Sequence, residues 1–202
     1  MKKISVFIVF VLLAGAVFAQ RDLKYKWSVT AEYGLSSQDG DGDSFIKQVY
    51  GTSVEYAFLP FAGISVDYYY FPLGGPTFTT NVNAASVNLT VNVNRLFFSN
   101  TDYKVILKGS IGYGIAGYTS TYTSSTSPSQ TSVYNSASCF PVLALSVEYY
   151  LTKLLSVGAK SQFRPFNVKN LEGDPRYNLD NVYNDNIVAA TLYLRFKFSD
   201  SN

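Results

Sequence analysis

The chain has 202 residues and a formal net charge of +2, with 15% charged residues, 17 Tyr, 15 Phe, one Cys and no His. That length suits one domain of ordinary size, and its charged fraction falls well below the roughly 25% of a typical soluble domain. The near-neutral balance excludes a basic nucleic-acid surface, a lone Cys139 excludes an internal disulfide framework, and the missing histidine removes the commonest general base.

Lys2 and Lys3 precede an apolar run from Ile4 to Leu13, and Val17-Phe18-Ala19 ends in a small residue before Gln20. This is the pattern of a cleaved signal peptide over residues 1–19. The run is too short to be a spanning helix. Sixteen basic residues less those two leave fourteen, against fourteen acids, so the mature side-chain charge is zero.

From there the pattern has period two and reads as eight strands. Trp27, Val29, Ala31, Tyr33 and Leu35 form the first apolar set, and Tyr50, Thr52, Val54, Tyr56 and Phe58 the second. Ile64, Val66, Tyr68 and Tyr70 make the third, and Ala85, Val87, Leu89, Val91 and Val93 the fourth, against Ser86, Asn88, Thr90, Asn92 and Asn94. Val105 to Ile115, Leu143 to Tyr149, Leu155 to Phe163 and Val188 to Phe198 complete the series. Ile106, Phe140, Val142 and Ile187 are apolar exceptions on the polar side.

The connections at 59–62 and 151–154 are short, 95–103 is intermediate, and 36–48, 73–83, 118–138 and 166–186 read as long polar loops. Ser-Val-Glu-Tyr occurs at 53–56 and again at 146–149, four strands apart. Alternating short and long connections are expected of an up-and-down barrel whose two ends face different compartments.

The polar set decides which face meets water. It is mostly Ser, Thr, Asn and Gly, with about one charge per strand, which suits a crowded lumen better than a wetted surface. Trp27, Tyr56, Phe58, Tyr149, Phe196 and Phe198 collect at one end of the apolar set, and Tyr33, Tyr50, Tyr68, Tyr70, Tyr113 and Phe163 towards the other. Two aromatic girdles at membrane interfaces have this form. The expected fold is all-β, an eight-stranded antiparallel up-and-down transmembrane barrel over residues 20–198, followed by a short tail at 199–202. The alternatives are a secreted lipocalin-like carrier, with the apolar set inside, and a narrow low-conductance pore.

These strands, the loop asymmetry and the terminal Tyr193-Leu194-Arg195-Phe196-Lys197-Phe198 resemble the small OmpA/OmpX-like outer-membrane barrels of Gram-negative bacteria. The resemblance implies residence in the outer membrane, contact with its lipid, and no cofactor. It also implies that the last strand, through Tyr193, Leu194, Phe196 and Phe198, carries the signal read by the outer-membrane assembly machinery. The family usually ends on the aromatic itself, whereas here Ser199-Asp200-Ser201-Asn202 follows.

Four acids (Glu32, Glu55, Asp67, Glu148) and four bases (Lys108, Lys160, Arg164, Arg195) fall on the inward set and are expected to form an ion-pair network that plugs the lumen. Glu55 and Asp67 are expected at similar height, bridged by Lys108 or Lys160. Arg195 is expected to pair with Glu32, and Lys197 to sit in water at the rim. An eight-stranded lumen is just wide enough to be filled by side chains, so the expected role is structural or a surface interaction through the long loops, with a ligand the sequence does not name, and no catalysis. Asp39-Gly-Asp-Gly-Asp43 matches only the first half of a calcium loop, since Ser44 and Tyr50 replace the required Gly and Glu. Residues 119–138 contain 13 Ser or Thr, too polar for a packed core, and suit a binding loop, a glycosylated loop or a passive cover. Cys139 beside them is read as a free thiol, with intermolecular pairing as the alternative.

Overall fold

In the computed structural model the described residues are 26–39, 44–97, 103–123, 131–166 and 185–198. Residues 1–19, where the signal peptide is expected, the tail 199–202 and Gly40–Asp43 of the acidic loop lie outside them. Eight strands run in chain order: β1 (Trp27–Asp39), β2 (Lys47–Ala57), β3 (Ala62–Gly74), β4 (Phe78–Asn92), β5 (Val105–Thr123), β6 (Thr131–Tyr150), β7 (Leu155–Pro165) and β8 (Asn186–Phe198). Each pairs antiparallel with the next, and β8 returns to β1 from Trp27↔Phe198 to Asp39↔Asn186, closing the barrel. Closure gives every strand two partners, the condition for a sheet to sit where no water can satisfy an open edge.

The period-two pattern becomes two faces. Leu192 is 70% exposed, whereas its strand neighbours Thr191 and Tyr193 are buried. The same alternation holds for Val87 and Leu89 outside against Ser86 and Asn88 inside. The outside is apolar and the inside carries the charges, the reverse of a soluble carrier barrel. The lipocalin-like alternative is thereby set aside: its apolar set would have to face inward. Trp27 packs on Tyr56 with centroids 4.7 Å apart at the turn end, and Tyr33 on Tyr50 at 5.4 Å further up.

The short connections at 58–61 and 151–154 are as expected. Between β4 and β5 the chain makes a brief helix, α1 (Val93–Phe97), where the alternation predicts that the strand continues through Val93 and Asn94. Asn92 caps it, its Oδ1 accepting from the Arg95 amide at 3.1 Å, as a helix N-terminus requires. Asn94 is not in the lumen row: its Oδ1 accepts the Leu107 amide at 2.6 Å, tying the helix to β5.

Two expected long loops prove to be strand. Residues 73–83 contract to a turn at 75–77, with Gly75 donating to the Phe78 carbonyl at 3.0 Å. Within 118–138, β5 continues to Thr123 and β6 begins at Thr131. The cause is an inversion of solvent along the strand. In β4, Val87 and Leu89 face out and Ser86 and Asn88 face in; nearer the loop end, Asn81 and Asn83 face out while Phe78, Val82 and Ala84 face in. β5 behaves likewise, with Ile111 and Ile115 outside below and Thr119 outside above, opposite buried Ala116, Tyr118 and Tyr122. Above the bilayer the outside is wet, so the apolar set moves inside. Val49, Tyr69, Phe71, Leu73, Val82, Tyr118, Phe140, Phe166 and Ile187 form a hydrophobic core there. Cys139 is exposed and free on the outer face of β6, opposite Ile115.

Candidate functional site

The charged inward side chains gather in two layers. The lower, near the turn end, is built by the two Ser-Val-Glu-Tyr copies. Register alternation turns Glu55 of β2 and Glu148 of β6 inward, and both are buried. Lys108 Nζ lies 3.3 Å from Glu55 Oε1 and 3.2 Å from Glu148 Oε2. Arg195 Nη1 lies 2.7 Å from Glu55 Oε2 and 3.4 Å from Glu148 Oε2. Lys197 Nζ reaches Glu148 Oε1 at 3.4 Å, Ser156 Oγ donates to the same oxygen at 2.6 Å, and Lys197 also contacts the Tyr150 hydroxyl.

The upper layer centres on Lys160. Its Nζ lies 3.1 Å from Glu32 Oε1, 3.1 Å from Asp67 Oδ2 and 2.7 Å from the Tyr69 hydroxyl. Thr191 donates to Glu32 Oε2 at 2.9 Å and Gln162 Nε2 to the same oxygen at 3.5 Å. A buried carboxylate is tolerable only with such partners.

Four details differ from the sequence reading. Glu55 and Asp67 do not share a height: Asp67 pairs with Ser53, and Glu55 with Ser65, which puts them in different layers. Arg195 meets Glu55 and Glu148 rather than Glu32, because it sits opposite Thr30 in the β1–β8 ladder and Glu32 lies two residues higher. Lys197 is not out in water; its side chain is 15% exposed and turned in on Glu148. Arg164, fully buried, joins no carboxylate in an ion pair among the described residues. Its guanidinium donates to Gln162 Oε1 at 2.8 Å and lies 4.5 Å from the Tyr69 ring, 5.1 Å from Phe71 and 5.4 Å from Phe140. It caps the upper layer as a cation held among aromatic faces.

The aromatic half of this filling does not show in the alternation of polar and apolar residues. Tyr69, Phe140 and Tyr193 each lie over a glycine on the neighbouring strand: Tyr69↔Gly51, Phe140↔Gly114 and Tyr193↔Gly158. A Cβ at any of the three glycines would run into the facing ring. The signal was present, since an inward glycine inside a strand marks a close approach by a neighbour. Of the last strand's residues, Tyr193 is inward and buried, while Leu194, Phe196 and Phe198 face out, the two phenylalanine rings 4.8 Å apart.

No protein-family model matches the chain, and no curated protein matches its sequence. Solved structures do. The chain is similar to Neisserial surface protein A, NspA, with a TM-score of 0.60 and 14% identity over 85% of this chain and 97% of that one. It is similar to the outer membrane protein OprG of Pseudomonas aeruginosa (TM-score 0.57, 10% identity, 87% and 97% covered). It is also similar to Ail, the attachment invasion locus protein of Yersinia pestis (TM-score 0.52, 12% identity, 87% and 100% covered). At these identities the likeness is one of fold. Together with the apolar outer belt, that fold is the architecture of a small integral β-barrel of the outer membrane. It is the fold that the resemblance to OmpA/OmpX-like barrels implies.

Proposed function

We infer that this protein is a closed outer-membrane barrel acting as a structural and surface-contact element, with its specificity at the loop end and no catalytic role. The observation that carries this reading is the filled lumen. The lower ion layer, the upper ion layer and the aromatic stack around Arg164 follow one another along the barrel axis, and the space between the two ion layers is only about 20 Å³. In this reading the network is a plug, and it fixes strand register, because a one-residue slip would turn each charge towards lipid. With the interior closed, interaction falls to the part standing above the bilayer, chiefly the β5–β6 hairpin, whose strands run 19 and 20 residues against 11 for β7.

Planar-bilayer recording on the purified barrel tests the plug: silent membranes are expected, and steady single-channel steps would restore the narrow-pore alternative. Whole cells expressing a variant with the hairpin shortened across 117–137 test the surface role. Loss of adherence to host-cell or matrix-coated surfaces, with the barrel still folded, is expected; unchanged adherence would refute it. By its resemblance the last strand carries the assembly signal, so Phe198→Ala is expected to lower the folded, heat-modifiable fraction in the outer membrane.

A further inference from the structure

The turn end of the barrel opens into a cavity of about 510 Å³, walled by the two short turns, α1 and the end of β8. Its floor is the lower ion layer. There, Lys108, Arg195 and Lys197 stand against Glu55 and Glu148, three cations on two carboxylates. Lys26, Arg95, Lys104 and Lys153 also line the cavity. Leaving Lys26 aside and counting Glu148 just behind the floor, six cations face two acids among the described residues, an excess of four.

The excess is local to this end. Among the described residues the upper layer sets Glu32 and Asp67 against Lys160, with the Arg164 guanidinium close by among aromatic rings, so its charges balance. The floor cations are also largely removed from water: Lys108 is 8% exposed and Arg195 7%. A surplus cation there lacks both full hydration and a full set of counter-charges, which is unfavourable unless an anion supplies them. Arg195 Nη1 is committed to the two glutamates, yet its Nε has no hydrogen-bond partner among the described residues.

The position of the cavity selects the kind of anion. Phe58, Leu151 and Leu154 are exposed on the turns around it, so apolar side chains reach this end and the mouth opens where acyl chains give way to headgroups. Leu59, Phe61 and Leu151 give it an apolar wall beside the cations. Mixed Arg and Lys donors beside such a wall suit a phosphoryl group, with several acceptor oxygens and a full negative charge.

We propose that this vestibule is a phosphoryl-binding site, with Arg195 and Lys197 as floor donors and Lys104 and Lys153 as rim donors. The phosphoryl group comes either from a phospholipid headgroup of the adjoining leaflet or from a soluble phosphorylated compound. The site lies at the opposite end of the barrel from the surface-facing hairpin and stands or falls independently of it.

The full barrel, purified in uncharged detergent, is titrated with inorganic pyrophosphate. In parallel it is placed in phosphatidylcholine nanodiscs with and without phosphatidylglycerol, and bound lipid is counted by native mass spectrometry. The rim variant Lys104→Gln/Lys153→Gln alters exposed side chains and keeps the fold; Lys197→Gln is the floor variant. Saturable binding, weakened about tenfold in the rim variant and further when Lys197→Gln is added, is expected. Pyrophosphate binding assigns a soluble ligand. Phosphatidylglycerol retention without pyrophosphate binding assigns the headgroup. If neither probe binds, or if the rim variant binds as tightly as the wild type, the proposal is wrong.

Discussion

The membrane-embedded part of this barrel and the part that stands above it are one continuous sheet built to opposite rules. Below, Val87, Leu89, Leu192 and Leu194 face outward and Ser86, Asn88, Thr191 and Arg195 face inward. Above, on the β3–β6 side, Asn81, Asn83 and Thr119 face outward and Phe71, Val82, Tyr118 and Phe140 face inward. No strand break or bulge separates the two regimes in β4; the exchange falls between Ala84, buried, and Ala85, half-buried. Alanine suits such a boundary because it costs little in either solvent. The lesson is that a β-strand does not own a hydrophobic face. The surrounding medium assigns it, and one strand can serve two media with a change in which residues of the alternation are apolar.

The interiors differ too. The embedded half is held by ion pairs in two layers, and the protruding half by stacked rings, with Phe140 and Phe166 at 4.4 Å and Tyr69 and Phe71 at 5.5 Å. The embedded half has lipid outside it, so burying apolar side chains in its lumen would leave the charges nowhere to go. The protruding half has water outside and uses ordinary hydrophobic burial.

The most severe test of the ionic half is Glu148→Gln. It leaves Lys108, Arg195 and Lys197 facing the single carboxylate of Glu55. A loss of about 3–5 kcal/mol is expected, read as a lowered urea midpoint in detergent. Arg164→Met in the aromatic half should cost less, about 2 kcal/mol, because the cation–π contacts it removes have about that magnitude; an equal cost for the two would erase the distinction. The solvent inversion is probed by paired charges on the outer face. Leu192→Arg is expected to lose about 2–4 kcal/mol, whereas Thr119→Lys, above the bilayer, should stay within about 0.5 kcal/mol. Similar losses at both sites would place Thr119 in lipid. Gly51→Val drives a side chain into the Tyr69 ring and should cost about 1–3 kcal/mol, and Gly51→Val combined with Tyr69→Ala should recover part of that. The smallest effect expected is for Cys139→Ser, an exposed and unpaired thiol, within about 0.5 kcal/mol and with no change of mass on non-reducing gels.

Within the sequence, the embedded half is legible because lipid makes a charge on its side of a strand costly, so the alternation there is nearly unbroken. Glu32, Glu55, Asp67, Lys108, Glu148, Lys160, Arg164 and Arg195 all point inward by that phase alone, and the repeated Ser-Val-Glu-Tyr marks the two carboxylates that share Lys108 and Arg195. The protruding half reads as loop at 73–83 and 118–138, because its apolar residues stand at the positions that are polar below. Its Ser and Thr pair as strands all the same, since the ladder hydrogen bonds come from the backbone and Thr suits the pleated surface.

What the sequence determined by itself was the strand count, the face of each embedded strand and the sign of each inward charge, since these follow from a period of two and the cost of a charge in lipid. Only the closed barrel decided who meets whom. Stagger between strands sets Arg195 opposite Thr30 and separates Glu55 from Asp67. It also turns Lys197 onto Glu148, giving the turn end its surplus cation. Height around a tilted, sheared cylinder depends on all eight registers at once, and no single strand carries that information.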